Sequence, residues 1–429
     1  MKAYGEMSKE ELLALQEELQ ARYDKLKGEG IQLDMSRGKP GTDQLDLSAP
    51  MLDVLNSKSA FKGVNNIDVR NYGLMDGIDE AKELFAELME CPKDHVMVYG
   101  NSSLSVMYDL ISKAMVHGIC GSTPWCKLDK VKFLCPVPGY DRHFAITESF
   151  GIEMINIPMD ENGPDMDLVE QYVNNDPAVK GIWNIPKYSN PTGVVYSDEV
   201  VRRFAGLRPA ADDFRIYWDN AYAVHHVYME DKAQILNIAD ECEKAGNPHI
   251  YYELCSTSKI TFPGAGVAAL ITSPENIADI KKTVTIQTIG YDKVNQLRHV
   301  MFFKNAAGVN AHMEKHAAIL RPKFDAVLDC LEKELGGLEI GSWIKPRGGY
   351  FIAFETLEGC AKRVVALCRE AGVVMTPAGS TYPYKRDDAD TSIRIAPTCP
   401  TPKELTKACA VFVLCVKLAS VEKYLTKMA

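Results

Sequence analysis

From about residue 95 the chain alternates short apolar runs with stretches of helical spacing. The runs are Val96–Tyr99, Val131–Cys135, Glu153–Met159, Lys180–Ile185, Phe214–Trp218 and His249–Cys255. Strands that alternate with helices pair in parallel and are covered on both faces. This predicts an α/β unit with a mostly parallel central sheet flanked by helices. Helical patterns follow at Asn276–Ile289 and Asn295–Leu335. Near Gly336-Gly337 the texture changes. Strands are expected at Tyr350–Phe354, Val373–Pro377 and Thr391–Ala396, with helices at Gly359–Glu370 and Thr401–Leu418, which makes a smaller α+β domain. Upstream, Ser8-Lys9-Glu10-Glu11 reads as a capping box before Leu12, Leu15 and Leu19, and the helix should end near Gly28. Leu33–Gly41 reads as an irregular basic loop, and Asp79–Glu90 as a further helix. Grouping the first helix with the small unit gives an expected large domain at 50–325 and a discontinuous small one at 1–49 and 326–429.

In such sheets ligands bind where strands end. The run Tyr251–Cys255 passes into Ser256-Thr257-Ser258-Lys259 and then into a segment too rich in Pro and Gly for a helix. A lysine there is either an ordinary surface residue or a desolvated amine, and a desolvated amine is a nucleophile toward carbonyls. After Val96–Tyr99 comes Gly100-Asn101-Ser102-Ser103 at a helix start, a simple N-cap or a phosphate seat. After Cys135 comes Pro136-Val137-Pro138-Gly139-Tyr140, whose tyrosine either packs in the turn or stacks on a flat ring. Asn190, before Pro191, offers an amide to a ligand oxygen, and Asp219 at a buried strand end needs a cation or several donors. A lysine for an aldehyde, an acid for a ring nitrogen, a stacking aromatic, an amide and a phenol (Tyr222) for a ring hydroxyl, and a phosphate seat together describe pyridoxal 5'-phosphate.

These residues also carry a resemblance. Ser189-Asn190-Pro191-Thr192-Gly193, Asp219-x-x-Tyr222, Ser256-x-x-Lys259, Lys345–Phe351 and Ser392–Ala396 resemble the motifs of fold-type I pyridoxal-phosphate aminotransferases of class I/II, over nearly the whole chain. Ser36-Arg37-Gly38-Lys39-Pro40 and Ser256–Gly264 are most similar to a divergent bacterial subgroup of aspartate aminotransferases. The resemblance implies that Lys259 holds the cofactor aldehyde and shuttles a proton. Asp219 would keep the ring nitrogen protonated, and Tyr222 and Asn190 would bond the ring oxygen. Tyr140 would stack, and Ser102, Ser103, Ser256 and Ser258 would hold phosphate. Tyr72 would reach the phosphate of a neighbouring subunit, so the expected assembly is a homodimer with a shared active site. Arg394 would clamp the substrate α-carboxylate, with Asn190 and Gly38 beside it. One departure stands out: Val267 occupies the place where many relatives carry a phosphate-binding arginine, with Lys187 and Arg70 as substitutes to consider.

The resemblance implies transamination, L-aspartate with 2-oxoglutarate giving oxaloacetate and L-glutamate. The alternatives are alanine/glyoxylate or broad specificity, and a β-lyase or decarboxylase on the same fold. Arg37, Lys39, Arg142 and Arg347 are the cations that could meet a second substrate carboxylate. The formal net charge of -10 argues against a nucleic-acid partner or a DNA-binding regulator. Gly264-Ala265-Gly266 matches a loose dinucleotide fingerprint, but Pro263 precedes it and a strand follows, so no nicotinamide site is expected. The 12 cysteines are scattered without zinc spacing and the His225-His226 doublet lacks ligand spacing, so no metal is expected. The absence of a signal-like apolar stretch near the N-terminus and the short apolar run Ala408–Val416 lead to the expectation of a cytoplasmic protein with no membrane partner.

Overall fold

The computed structural model describes residues 2–428, so the outermost residue at each end of the expected small domain lies outside it. An eight-stranded sheet organises the chain. Its strands lie in the order Val96–Val98, Ala268–Ile271, Tyr251–Ser256, Arg215–Asp219, Val179–Asn184, Lys132–Val137, Glu153–Asp160 and Gly163–Pro164. The five strands from Tyr251–Ser256 to Glu153–Asp160 are mutually parallel. Ala268–Ile271 runs antiparallel to both its neighbours. It follows Tyr251–Ser256 by a connection with no helix, too short for a parallel crossover. Every residue of Val179–Asn184, Arg215–Asp219 and Tyr251–Ser256 is buried, because helices cover both faces. The carboxyl ends of the parallel strands therefore open on one edge, and Asp219 and Ser256 end adjacent strands there, with Asp219 opposite Leu254.

A second group of elements packs beside that edge. Ser8 and Glu11 form the expected capping box at the start of the helix Lys9–Gly28. Leu12, Leu19 and Tyr23 of that helix share one apolar cluster with Phe412, Leu414 and Val421 of the helix Pro402–Lys427. Tyr23 also donates to the carbonyl of Leu367 at 2.8 Å. Gly341–Trp343, Ile352–Thr356 and Ser392–Ile395 form an antiparallel sheet, and the helix Ala361–Glu370 packs in the same cluster.

Three expectations are corrected. Asn295–Leu335 is two helices, Lys293–Phe303 and Ala306–Leu335. Lys304 takes a left-handed φ of 68° between them, and the Asn305 side chain caps the amide of Gly308 at 2.9 Å. Both residues fit polar positions of an unbroken helical pattern, so the break leaves no mark in the periodicity. Leu33–Asp34 is not irregular but pairs in parallel with Val373–Val374, and that pairing is all that forms of the expected strand Val373–Pro377.

Truncating Phe412, fully buried and edge-on to Phe354 at 5.2 Å, should destabilise the protein by about 3–5 kcal/mol, read by denaturant unfolding of Phe412→Ala. Burial holds the imidazoles of His299 and His316 at about 4, below the ordinary 6.5. Between those values the unfolded chain binds more protons than the folded one, so stability is complete above pH 6.5 and is lost as pH falls toward 4. The thermal unfolding midpoint should drop across that window.

Candidate active site

The strand Arg215–Asp219 brings Asp219 to the carboxyl edge of the sheet, where it is 2% exposed. One oxygen, Oδ2, accepts from Nε2 of His143 at 3.0 Å. Because a carboxylate only accepts, His143 carries its proton on Nε2. The His143 ring is itself stacked on Trp183, 4.7 Å between centroids at 16°. The other oxygen, Oδ1, is buried and has no partner. A desolvated carboxylate oxygen needs a donor, and a protonated ring nitrogen supplies one.

Lys259 follows the next strand. Its Nζ lies 4.9 Å from the centroid of the Tyr222 ring. Loss of surrounding water holds its amine below the ordinary lysine range, with Arg394 acting in the same direction and Asp219 opposing. Tyr222 is 2% exposed, and burial drives its phenol well above 10, so it remains a hydrogen-bond donor at neutral pH. Tyr140 is the extended residue just before the helix Asp141–Ser149, its ring edge-on to that of His143 at 5.0 Å, and burial pushes its phenol up to about 12.

Arg394 arrives from the strand Ser392–Ile395 and is 8% exposed. Its Nη1 donates to Asp141 Oδ1 at 3.0 Å and to Asn190 Oδ1 at 3.3 Å, and its Nε to Thr376 Oγ1 at 3.4 Å. The guanidinium lies 4.8 Å over the Phe351 ring. Gly38 meets the other part of that ring so closely that a Cβ would collide with it. The turn carrying Asn190 closes through Ser189 N–H to Val194 O at 2.9 Å, and Gly193, at φ 76°, packs against Pro346. The Ser189–Gly193 and Lys345–Phe351 motifs are thus brought into contact.

Ser102 caps the helix Ser103–His117, accepting from the amide of Ser105. Ser256 Oγ donates to Ser258 Oγ at 3.1 Å, and Ser258 Oγ to the carbonyl of Asn101 at 3.4 Å. Asn101 in turn donates to Gly264 O at 2.9 Å. Gly266 lies so close that a Cβ there would stand 2.9 Å from Asn101 O and 3.2 Å from Ser258 N. The Ser256 and Ser258 hydroxyls are thus linked through Asn101 to the start of the helix that Ser102 caps, an arrangement suited to phosphate. Lys187 donates to the carbonyl of Ala223 at 2.7 Å, and Arg70 pairs with Asp68 at 2.6 Å and lies over Phe61. Val267 is buried among apolar residues. Tyr72 is exposed, at 78%, on a loop that touches Gly290 through Gly73.

His143, Asp141 and Thr376 were missed from sequence. For His143 a signal existed: it lies three residues after Tyr140, in the first turn of the helix that follows the strand end. Asp141 and Thr376 gave none, because their roles depend on where Arg394 arrives from a remote strand.

The sequence model of the family described as aspartate amino-transferase matches residues 7–428. An aspartate aminotransferase of Corynebacterium glutamicum is 45% identical over 409 residues, 95% of this chain and 94% of that one. A crystal structure of an aspartate transaminase from that organism superposes with a TM-score of 0.94 at 44% identity, covering 97% of both chains. LysN, an α-aminoadipate aminotransferase of Thermus thermophilus solved with N-(5'-phosphopyridoxyl)-L-leucine, shares the fold at a TM-score of 0.72 and 19% identity, over 95% of this chain and 96% of its own. The chain therefore belongs to the aspartate amino-transferase family, within the fold-type I pyridoxal-phosphate aminotransferases that its motifs resemble.

Proposed function

We infer that this aminotransferase uses pyridoxal 5'-phosphate to pass an amino group from L-aspartate to 2-oxoglutarate, yielding oxaloacetate and L-glutamate. The observation that carries the reading is the buried, unpartnered Oδ1 of Asp219 beside the desolvated amine of Lys259. The substrate pair is supported by the name of the 45%-identical Corynebacterium relative. When bound, the cofactor supplies an electron-poor ring that takes up the electron pair left by the substrate Cα.

The chain's own residues do the rest. Asp219 would hold a proton at the ring nitrogen, with His143 orienting its carboxylate. Lys259 would hold the aldehyde and, when free, move the proton at the substrate Cα; desolvation holds its amine below the ordinary lysine range. Tyr222 and Asn190 would bond the ring oxygen. Tyr140 would cover the ring, and Ser102, Ser103, Ser256 and Ser258 would hold the phosphate. Arg394 presents a planar fork to the substrate α-carboxylate, which displaces Asp141 from it. Gly38 lets the backbone close on the Phe351 ring that backs the Arg394 guanidinium. The working form is a cytoplasmic homodimer whose active sites each borrow Tyr72 from the other subunit. The exposure of Tyr72, and of Ile286 and Ile289 near the Gly290 it adjoins, supports a second copy covering that face.

A screen of amino donors against oxo-acid acceptors should give the highest turnover with L-aspartate and 2-oxoglutarate. Release of ammonia or thiol without transfer to an added oxo acid would make the protein a lyase instead. Lys259→Ala should abolish transamination and leave no borohydride-trappable adduct; normal turnover in that variant refutes the reading. Arg394→Ala should lower kcat/KM about 100-fold for every amino acid alike, roughly 3 kcal/mol for a buried charge pair. A defect confined to dicarboxylates would reassign Arg394 to the distal carboxylate.

A further inference from the structure

The amine of Lys259 reaches over an aromatic ring, but its main chain is gripped from three remote segments. Tyr350 donates its hydroxyl to the carbonyl of Lys259 at 3.3 Å. The next carbonyl, that of Ile260, receives His312 Nε2–H at 3.0 Å and Ser48 Oγ–H at 3.3 Å. Gln44, Ser48, His312, His316 and Tyr350 are all at least 95% buried. They lie on the stretch 44–48, on the helix Ala306–Leu335 and just before the strand Ile352–Thr356.

The donor directions at the two carbonyls are determined. Gly41 N–H donates to Gln44 Oε1 at 3.2 Å, which fixes the amide orientation of Gln44. Its Nε2 must then donate to both its neighbours, to Tyr350 Oη at 3.0 Å and to His316 Nδ1 at 3.1 Å. Having accepted from Gln44, the Tyr350 hydroxyl turns its own proton to Lys259 O. A carbonyl only accepts, so His312 is the Nε2–H tautomer, and Ser48 must donate to Ile260 O rather than to the ring. His316, whose Nδ1 accepts from Gln44, packs its Nε2 3.2 Å from His312 Nε2. On the other flank, Val267 N–H donates to Thr257 Oγ1 at 2.9 Å, Thr257 Oγ1–H to His299 Nε2 at 3.0 Å, and His299 Nδ1–H to Asn295 O at 2.8 Å.

We propose that Gln44, Ser48, His312 and Tyr350 are positioning residues that fix the Lys259 main chain, so that its amine stays over Tyr222 and within the field of Asp219. This rests on the aminotransferase reading of Lys259. A lysine side chain has four rotatable bonds, so an amine can be aimed only if its root is immobile. Moving the root by about 1 Å takes the amine out of line with the substrate Cα, a displacement that can reduce a rate by up to ~100-fold. The donors belong to segments far apart in sequence, so the clamp exists only when those segments are packed together.

The test measures Lys259 itself in the cofactor-free protein, by labelling with an amine-reactive reagent across a pH series and locating the label by mass spectrometry. His312→Leu and Tyr350→Phe should each move the half-labelling pH of Lys259 by about one unit, and in the holoenzyme lower kcat about 10-fold with KM changed less than about threefold. His312→Gln, whose amide N–H can reach Ile260 O, should restore both. Ser48→Ala removes one donor with little change in volume, and should give a smaller shift of the same sign even where the larger substitutions fail to fold. Folded His312→Leu, Tyr350→Phe or Ser48→Ala protein with an unshifted labelling pH overturns the proposal. So does a His312→Gln variant as defective as His312→Leu. Normal transamination by Lys259→Ala would instead overturn the underlying reading, whatever the labelling shows.

Discussion

A carboxylate and an amine sit where two adjacent buried strands run out, and nearly everything else in the molecule serves to keep them there. Each would be expensive to desolvate alone. Asp219 is tolerated because His143 takes one of its oxygens, and Lys259 because burial lowers its affinity for a proton while Asp219 limits the effect. The sheet supplies the geometry: the parallel register of Arg215–Asp219 with Tyr251–Ser256 brings both chain ends to one edge. The remaining polar groups then follow as a second ring around that pair, with hydroxyls and a helix N-terminus on one side and Arg394 on the other.

Much of this was legible in the sequence, because it is local. A strand ending announces itself through a short apolar run and a break, and five such endings were readable in order. The capping box at Ser8, the strand pattern of the large sheet and the small unit's helices were readable for the same reason. What escaped depends on partners that meet only after folding. Leu33–Asp34 has no strand signature of its own and is a strand only because Val373–Val374 lies beside it. The break at Lys304–Asn305 is written in one left-handed residue, not in hydrophobic spacing. Asp141 looks like an ordinary first-turn helix acid until Arg394 is placed 3.0 Å away.

The missing arginine at Val267 shows the limit of reading a family motif position by position. Val267 is buried in an apolar cluster, and its amide is bonded to Thr257 Oγ1 on the flank of the lysine loop. A charged side chain there would have to leave that cluster. The local packing thus explains why the residue is apolar.

The helix Lys9–Gly28 has its apolar partner in the helix Pro402–Lys427. During synthesis, at roughly 5–20 residues per second, Leu12, Leu19 and Tyr23 wait on the order of 20–80 seconds before the surface that covers them leaves the ribosome. The large sheet, whose strands all lie between those helices, can close in the meantime. Formation of this helix pair therefore waits for a surface some four hundred residues away, and until it arrives Leu12, Leu19 and Tyr23 have no apolar partner in Pro402–Lys427.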